Sequence, residues 1–277
     1  MKDSELKITY IGGPTALIEF GGVRFLTDPT FDPAGTDYDY LHKLAGPALE
    51  AEKLGRIDAV LLSHDHHPDN LDNTGRALLA RAGKILTTVA GAERLSASGA
   101  ARNNAHGLQP WESITLPTPD GQTLRVTATP ARHGPAHMDR GPVIGFVLSP
   151  GDQPEAPGHE NPAGVYVSGD KVWYEGVAEV GRRFRIATAV LFMGAARVER
   201  VGPWNLTFTA EEAVEFARAF PNAAIVPLHF EGWAHFSEGY PEIVRTFADA
   251  GLKDRLRWVE PGRAITVSGN AREPRVA

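Results

Sequence analysis

The run Val60-Leu61-Leu62-Ser63-His64-Asp65-His66-His67-Pro68-Asp69-Asn70-Leu71-Asp72 restricts what this chain can fold into more than any other stretch. The apolar residues after Asp58 read as a strand buried on both faces, because they show no polar alternation. The strand stops abruptly, and residues 64–72 then hold three imidazoles and three carboxylates. Neutral imidazole and carboxylate are the ligand set for zinc, manganese or iron. His64 and His66, two apart, can reach one ion from the turn that leaves a strand. Ligands this dense on one loop are expected to bind a cation.

Other segments end apolar strands in the same way. Asp28 follows Val23–Thr27, His133 follows Thr123–Thr129, Asp170 follows Val165-Tyr166-Val167 and a Ser-Gly turn, and His229 follows Ala224–Leu228. Chance explains one or two such placements. A shared layer at one edge of two packed sheets explains all of them, since α/β sites are built on the connections that leave the strands. His42 and His159 are read as surface histidines, and His137 as a loop histidine able to contact substrate. As a bare residue, Asp28 reads equally well as a turn cap.

The rest of the chain supplies the sheets and their covering helices. Leu6–Ile11, Ala16–Phe20 and Val23–Thr27 form an antiparallel meander punctuated by Gly12-Gly13-Pro14 and Gly21-Gly22. Leu41–Leu54 is weakly helical or irregular. Helices are expected over Asn73–Ala82, Gly91–Ser98, Trp173–Phe184 and Pro241–Ala250, and after the capping box Thr209-Ala210-Glu211-Glu212. Further strands are expected at Lys84–Thr88, Ser113–Leu116, Thr123–Thr129, Val143–Leu148, Ala187–Met193, Ala224–Leu228, Leu256–Glu260 and Ala264–Val267. Ser149–Asn161 is a Pro-, Gly- and acid-rich excursion, and the tail from Ser268 is polar.

Composition narrows the function classes. A chain of 277 residues with 42% hydrophobic and 22% charged residues can bury a sizeable core, and we read it as a single domain over 1–277. A net charge of −6 argues against a nucleic-acid footprint. With no cysteine, any metal must be held by nitrogen and oxygen. The polar start Met1-Lys2-Asp3-Ser4-Glu5-Leu6 lacks the apolar core of a signal peptide, and no stretch approaches the roughly 20 apolar residues of a membrane span, so a cytoplasmic protein is expected. A homo-oligomer is compatible with this composition.

Ser63-His64-Asp65-His66 followed by Asp69 and Leu71-Asp72 resembles the metal signature of the metallo-β-lactamase fold superfamily, whose usual form is His-x-His-x-Asp-His. The likeness is nearest to its predicted metal-dependent hydrolases of the ascorbate-6-phosphate lactonase and N-acyl phosphatidylethanolamine phospholipase D types. It extends to Ile8-Thr9-Tyr10-Ile11-Gly12, Leu17–Gly22 and Leu26-Thr27-Asp28-Pro29, and to Ser168-Gly169-Asp170 and Pro227-Leu228-His229. The chain departs in two places. Pro68 and Asp69 stand where the family's aspartate and second-site histidine would fall, so an extra loop residue shifts Asp69 and Asn70 into those positions and makes the second-site histidine an asparagine. Gly13-Pro14 replaces a common His-Ser or His-Ala pair.

The resemblance implies an α/β (α+β) fold, a four-layer αββα sandwich, with one or two divalent ions above the β core. Zinc leads as their identity, with manganese or iron also compatible. The first ion would take His64, His66, His133 and Asp170. The second would take Asp69, Asp170 and His229, with His67 or Asn70 as its fourth group and Asp28 in support. Hydrolysis of a small-molecule ester, lactone or phosphodiester by activated water follows, with Asp69 orienting the nucleophile and His229 or His235 steadying the oxyanion. A single-iron oxidoreductase, or a metal- or ligand-binding protein without turnover, is the alternative.

Overall fold

Paired glycines place the first turns. Gly21 and Gly22 adopt left-handed φ values of 57° and 75°, which side chains disfavour. They join β2 (Thr15–Phe20) to β3 (Val23–Thr27), and Gly13 (φ 55°) helps join β1 (Leu6–Gly12) to β2. The expected meander is thus observed. The computed structural model describes residues 6–101, 103–151 and 164–267. The residues before Leu6, the excursion beyond Gly151 with His159, and the tail from Ser268 lie outside them.

A small hairpin, β4 (Asp37–Tyr38) and β5 (Leu41–His42), precedes β6 (Ala59–Leu61), α1 (Asn73–Leu78), β7 (Lys84–Thr88), α2 (Val89–Ala97) and β8 (Ala105–Leu108). Next come β9 (Ser113–Pro117), β10 (Thr123–Pro130), β11 (Ile144–Pro150) and β12 (Gly164–Val167). The described chain closes with α3 (Glu175–Arg183), β13 (Ile186–Phe192), α4 (Ala210–Ala219), β14 (Ala224–Leu228), α5 (Tyr240–Asp249) and β15 (Ala264–Val267). One seven-stranded sheet runs β15-β1-β2-β3-β6-β7-β8, and a six-stranded sheet runs β14-β13-β12-β11-β10-β9.

Period-two alternation decides which faces meet. Ile18, Phe25 and Leu61 of the first sheet pack with Phe146, Val190 and Phe192 of the second in one central core. The residues between them point the other way. Leu17, Leu26 and Val60 pack under Leu78 and Leu95 of α1 and α2, while Val147, Ala189 and Leu191 pack under Val180, Phe216 and Phe247 of α3, α4 and α5. Four layers result, in the order αββα. The predicted cap of α4 is made both ways: Glu212 N–H donates to Thr209 Oγ1 at 3.0 Å and Thr209 N–H to the Glu212 carboxylate at 3.1 Å.

Leu41–Leu54 is irregular, one of the two forms expected: Gly46-Pro47 interrupts it, leaving β5 and a 3₁₀ turn at Ala51–Leu54. Two other stretches differ from expectation. Leu256–Glu260 is not a strand and makes only an isolated parallel bridge from Leu256 to Ile225, with Pro261-Gly262 following at once. Ala105–Leu108 is an edge strand whose sequence, Ala-His-Gly-Leu, carries no alternation to announce it. Among the described residues, no helix is long and apolar enough to cross a membrane.

The strands β3, β6, β7 and β8 are parallel to one another, as are β12, β13 and β14. Their carboxyl ends therefore lie at common edges. Asp28 follows β3, residues 63–72 follow β6, Asp170 follows β12 and His229 follows β14, while the end of β10 sends the chain to His133.

Candidate metal centre

Local bonds make the loop after β6 rigid and sort its carboxylates. Leu62 N–H still donates to Leu86 O at 2.9 Å, and Ser63 N–H donates to Asp28 Oδ1 at 2.6 Å. Asp65 faces away from the site and pairs with the guanidinium of Arg94 on α2. Asp72 caps α1 by accepting from Gly75 N–H at 2.8 Å, and it pairs with the buried Lys43 Nζ at 2.9 Å. Of the loop's three carboxylates only Asp69 serves the centre. The other two hold the loop in place, a division that composition does not reveal.

Three imidazole nitrogens converge on one point. His64 Nε2 lies 2.9 Å from His67 Nδ1, and His133 Nε2 lies 3.2 Å from the same atom. Zinc bonds of about 2.0–2.1 Å in a tetrahedron put ligand atoms about 3.4 Å apart, so these spacings suit a shared ion. Asp170 Oδ2 is 3.8 Å from His133 Nε2, and the ligand atoms of His64, His133 and Asp170 all lie within 4.8 Å of one another. The outer nitrogens are held as metal-ligating histidines require. His64 Nδ1 contacts Ser63 Oγ at 2.9 Å and His133 Nδ1 contacts Leu206 O at 2.8 Å.

His67 therefore stands beside His64 and His133, rather than at the second position where the sequence suggested it. His66 remains within 4.8 Å of His64 and His67, and its Nε2 contacts the Arg140 carbonyl at 2.8 Å, the kind of outer-nitrogen contact a ligating histidine makes. The extra loop residue explains the difference. It lengthens the turn after His64, so the next side chain able to fold back over the sheet edge is His67, two residues before Asp69.

A second cluster adjoins the first. His229 Nε2 lies 3.5 Å from both Asp69 Oδ2 and Asp170 Oδ1. Asp170 thus turns one oxygen to His133 and the other to His229, as a carboxylate between two ions would. Asp170 Oδ1 and both ring nitrogens of His229 are fully buried without a hydrogen-bond partner among the described residues. Orphaned buried polar atoms are costly, and Asp170 Oδ1 facing His229 Nε2 at 3.5 Å fits a cation between them. His229 itself has a left-handed φ of 54° and is tied by its N–H to Gly13 O at 2.9 Å. Strain at a non-glycine residue is tolerated where surrounding structure holds it, commonly at functional sites.

The remaining sequence-predicted residues lie nearby in supporting places. His235 Nε2 sits 3.0 Å from Asp69 Oδ2. Asn70 is buried beside Asp69 in sequence, with neither amide atom partnered among the described residues. Asp28 is outside the candidate ligand clusters, and its carboxylate accepts from Ser63 and braces the start of the loop. Gly13 needs its left-handed turn and lies against Trp233, since a Cβ there would come 2.9 Å from the indole nitrogen. Gly169 is needed for the turn to Asp170, where a Cβ would meet Ser63 Cβ at 2.6 Å. His137 packs edge-on to Trp204 outside the clusters, and His42, expected to be alone, pairs with Asp37 across the small hairpin.

The two clusters differ in the proton they must release. Burial and the neighbouring imidazoles push His64 well below its ordinary pKa, and burial and His133 push His67 down to about 3, so both are neutral, the form that binds metal. Burial opposes charge on His229, but Asp170 and Asp69 outweigh it and push that imidazole up to about 9. Burial likewise works against charge on Asp69, and the imidazoles of His229 and His235 overcome it to hold the carboxyl well below its usual range. Asp28 is driven upward by burial and by the charge of Asp170.

Because His229 is protonated below about 9, metal must displace that proton. Affinity at the second cluster should rise about tenfold per pH unit up to that value and level off above it. At the first cluster it should be nearly flat from neutral pH upward. Calorimetric titrations in buffers of different ionisation enthalpy check this, and one proton released with the second metal equivalent but none with the first is the expected result.

The clusters floor a narrow cleft that is partly open to solvent. Its walls include Leu41, Val198 and Leu206, and its lining also includes Tyr40, Arg140 and Arg200. Sequence reading missed these last three, since each lies in a loop with no motif around it.

The family model described as beta-lactamase superfamily domain matches residues 23–230. The UPF0173 protein YddR of Bacillus subtilis is 23% identical over 276 residues, spanning 94% of this chain and 100% of that protein. A UPF0173 metal-dependent hydrolase of Pyrobaculum aerophilum is 24% identical over 270 residues, spanning 95% of this chain and 100% of its own length. Among solved structures, isothiocyanate hydrolase from Delia radicum gut bacteria superposes with a TM-score of 0.78 at 22% identity, over 95% of this chain and 100% of that one.

Proposed function

The chain belongs to the beta-lactamase superfamily domain family, and from that membership we propose that it is a two-metal hydrolase of a small-molecule ester, lactone or phosphodiester, acting as one domain. The observation that carries this reading is Asp170, one carboxylate shared between two clusters of buried ligand atoms. Its relatives' description as metal-dependent hydrolases supports the same reaction class.

We assign the first ion to His64, His67, His133 and Asp170, and the second to Asp69, Asp170 and His229. Zinc fits the nitrogen-rich first set best. Ions bound there supply hydroxide at neutral pH, by lowering the pKa of water from about 15.7 to about 7, and polarise the bond to be cleaved. The protein's own groups do the rest. Asp170 holds the two clusters in register, and Asp69 orients the attacking oxygen. His235, 3.0 Å away, fixes the Asp69 carboxylate, and the apolar cleft walls limit water.

A screen of the zinc- and manganese-loaded protein over lactones, carboxylic esters and phosphodiesters tests the proposal, with metal content measured per chain. Turnover of one class with two ions bound is expected. One iron per chain with turnover that consumes dioxygen would replace this reading with the oxidative one.

A further inference from the structure

We propose that Tyr40, Arg140 and Arg200 form an oxyanion-recognition subsite at the mouth of the cleft, so that the substrate carries a carboxylate or phosphate group besides the bond that is cleaved. This deepens the hydrolytic reading above and rests on it for the identity of the reacting bond, but not for the subsite.

The three side chains come from separate segments: Tyr40 between β4 and β5, Arg140 beyond His133, and Arg200 in the 3₁₀ turn Glu199–Val201. All line the cleft that also exposes His67, Asp69, His133 and Asp170. The guanidinium of Arg200 lies over the Tyr40 ring, 3.2 Å from its centroid, which fixes the plane of its donors. Its one ion-pair partner among the described residues is Asp39 at 3.3 Å, whose side chain is 87% exposed. Pairs this exposed are weak and are readily exchanged for a better acceptor.

Arg140 is more clearly unemployed. Its backbone is fixed, the N–H donating to His133 O at 2.9 Å and the carbonyl contacting His66 Nε2 at 2.8 Å. Its guanidinium has no hydrogen-bond or ion-pair partner among the described residues. A backbone anchored to the metal loop thus presents a free planar fork to the cleft. Guanidinium forks match carboxylate and phosphate oxygens in pairs, with stronger bonds than neutral donors make.

Tyr40 completes the set. Burial and the charge of Asp69 raise its phenol above the ordinary value, so it stays a donor at neutral pH. Leu41, Val198, Val201 and Leu206 line the same cleft and suit hydrocarbon beside the anion. In a chain of net charge −6, two cations on a cleft floored by carboxylates also favour the approach of an anion.

Binding of 4-phenylbutanoate and 3-phenylpropyl phosphate, against the neutral 4-phenylbutanamide, tests the subsite in the metal-loaded protein and in the double variant Arg140→Gln, Arg200→Gln. The variant should bind at least one of the anions about tenfold more weakly, with amide affinity and metal content unchanged, because the charge-assisted bonds alone are removed. The anion that loses more identifies the group. Equal anion affinity in both proteins overturns the proposal, as does a parallel loss for the amide. No turnover is needed for this measurement. An arginine-dependent loss in a protein that hydrolyses nothing in the screen would retire the hydrolytic reading and keep the subsite, whereas turnover without that loss would do the reverse.

Discussion

Asp170→Asn is expected to bring metal content from two ions towards one or none and to lower turnover on the order of a thousandfold, the scale of the several kcal/mol that metal catalysis supplies. Asp170 is buried, with Oδ2 3.8 Å from His133 Nε2 and Oδ1 3.5 Å from His229 Nε2. Asparagine keeps the shape but replaces one oxygen by an NH₂ group, which has no lone pair for a cation. One cluster thus loses its ligand outright, and the other exchanges a charged oxygen for a weak amide one. The fold should survive, since the Ser168-Gly169 turn and the sheets do not depend on the charge. Elemental analysis with circular dichroism reads both quantities, and full occupancy together with full turnover would remove the bridging role.

The second large effect separates neighbouring histidines. His67→Ala should weaken the first ion by more than about 100-fold, because even outer-sphere partners of a metal contribute about 10–100-fold and this ring faces the site directly. His66→Ala should weaken it less than His67→Ala does, since the ring nitrogens of His66 are grouped with those of His64 and His67 only, whereas His67 Nδ1 also lies 3.2 Å from His133 Nε2. Competition against a chelating dye gives both constants. A protein that loses metal with His66 and keeps it with His67 would restore the usual spacing of the motif and refute the shifted assignment.

Most of the fold was legible from local pattern. The near-continuous apolar runs of β2, β11 and β13 announced strands buried on both faces, the Thr209–Glu212 box announced α4, and the strand ends pointed to Asp28, Asp69, His133, Asp170 and His229 as one layer. Short edge elements were not legible. Ala105–Leu108 lacks alternation, and Leu256–Glu260 has the look of a strand without an edge to join.

Residue types along the chain pointed by themselves to a cation held by nitrogen and oxygen ligands, and placed the candidate ligands where apolar strands end. Both follow from chemistry local to each segment: which side chains coordinate, and which faces must be buried. Tertiary structure alone decided which imidazole turns inward, since His66 and His67 are adjacent and differ only in what meets them across space. For His66 that is the Arg140 carbonyl, 74 residues on, and for His67 it is His133, 66 residues on. It decided equally that Asp65 and Asp72 brace the loop, through Arg94 and Lys43, and that Tyr40, Arg140 and Arg200 share one cleft. Such partners are chosen by the packing of two sheets against each other, and no spacing within a single segment encodes that meeting.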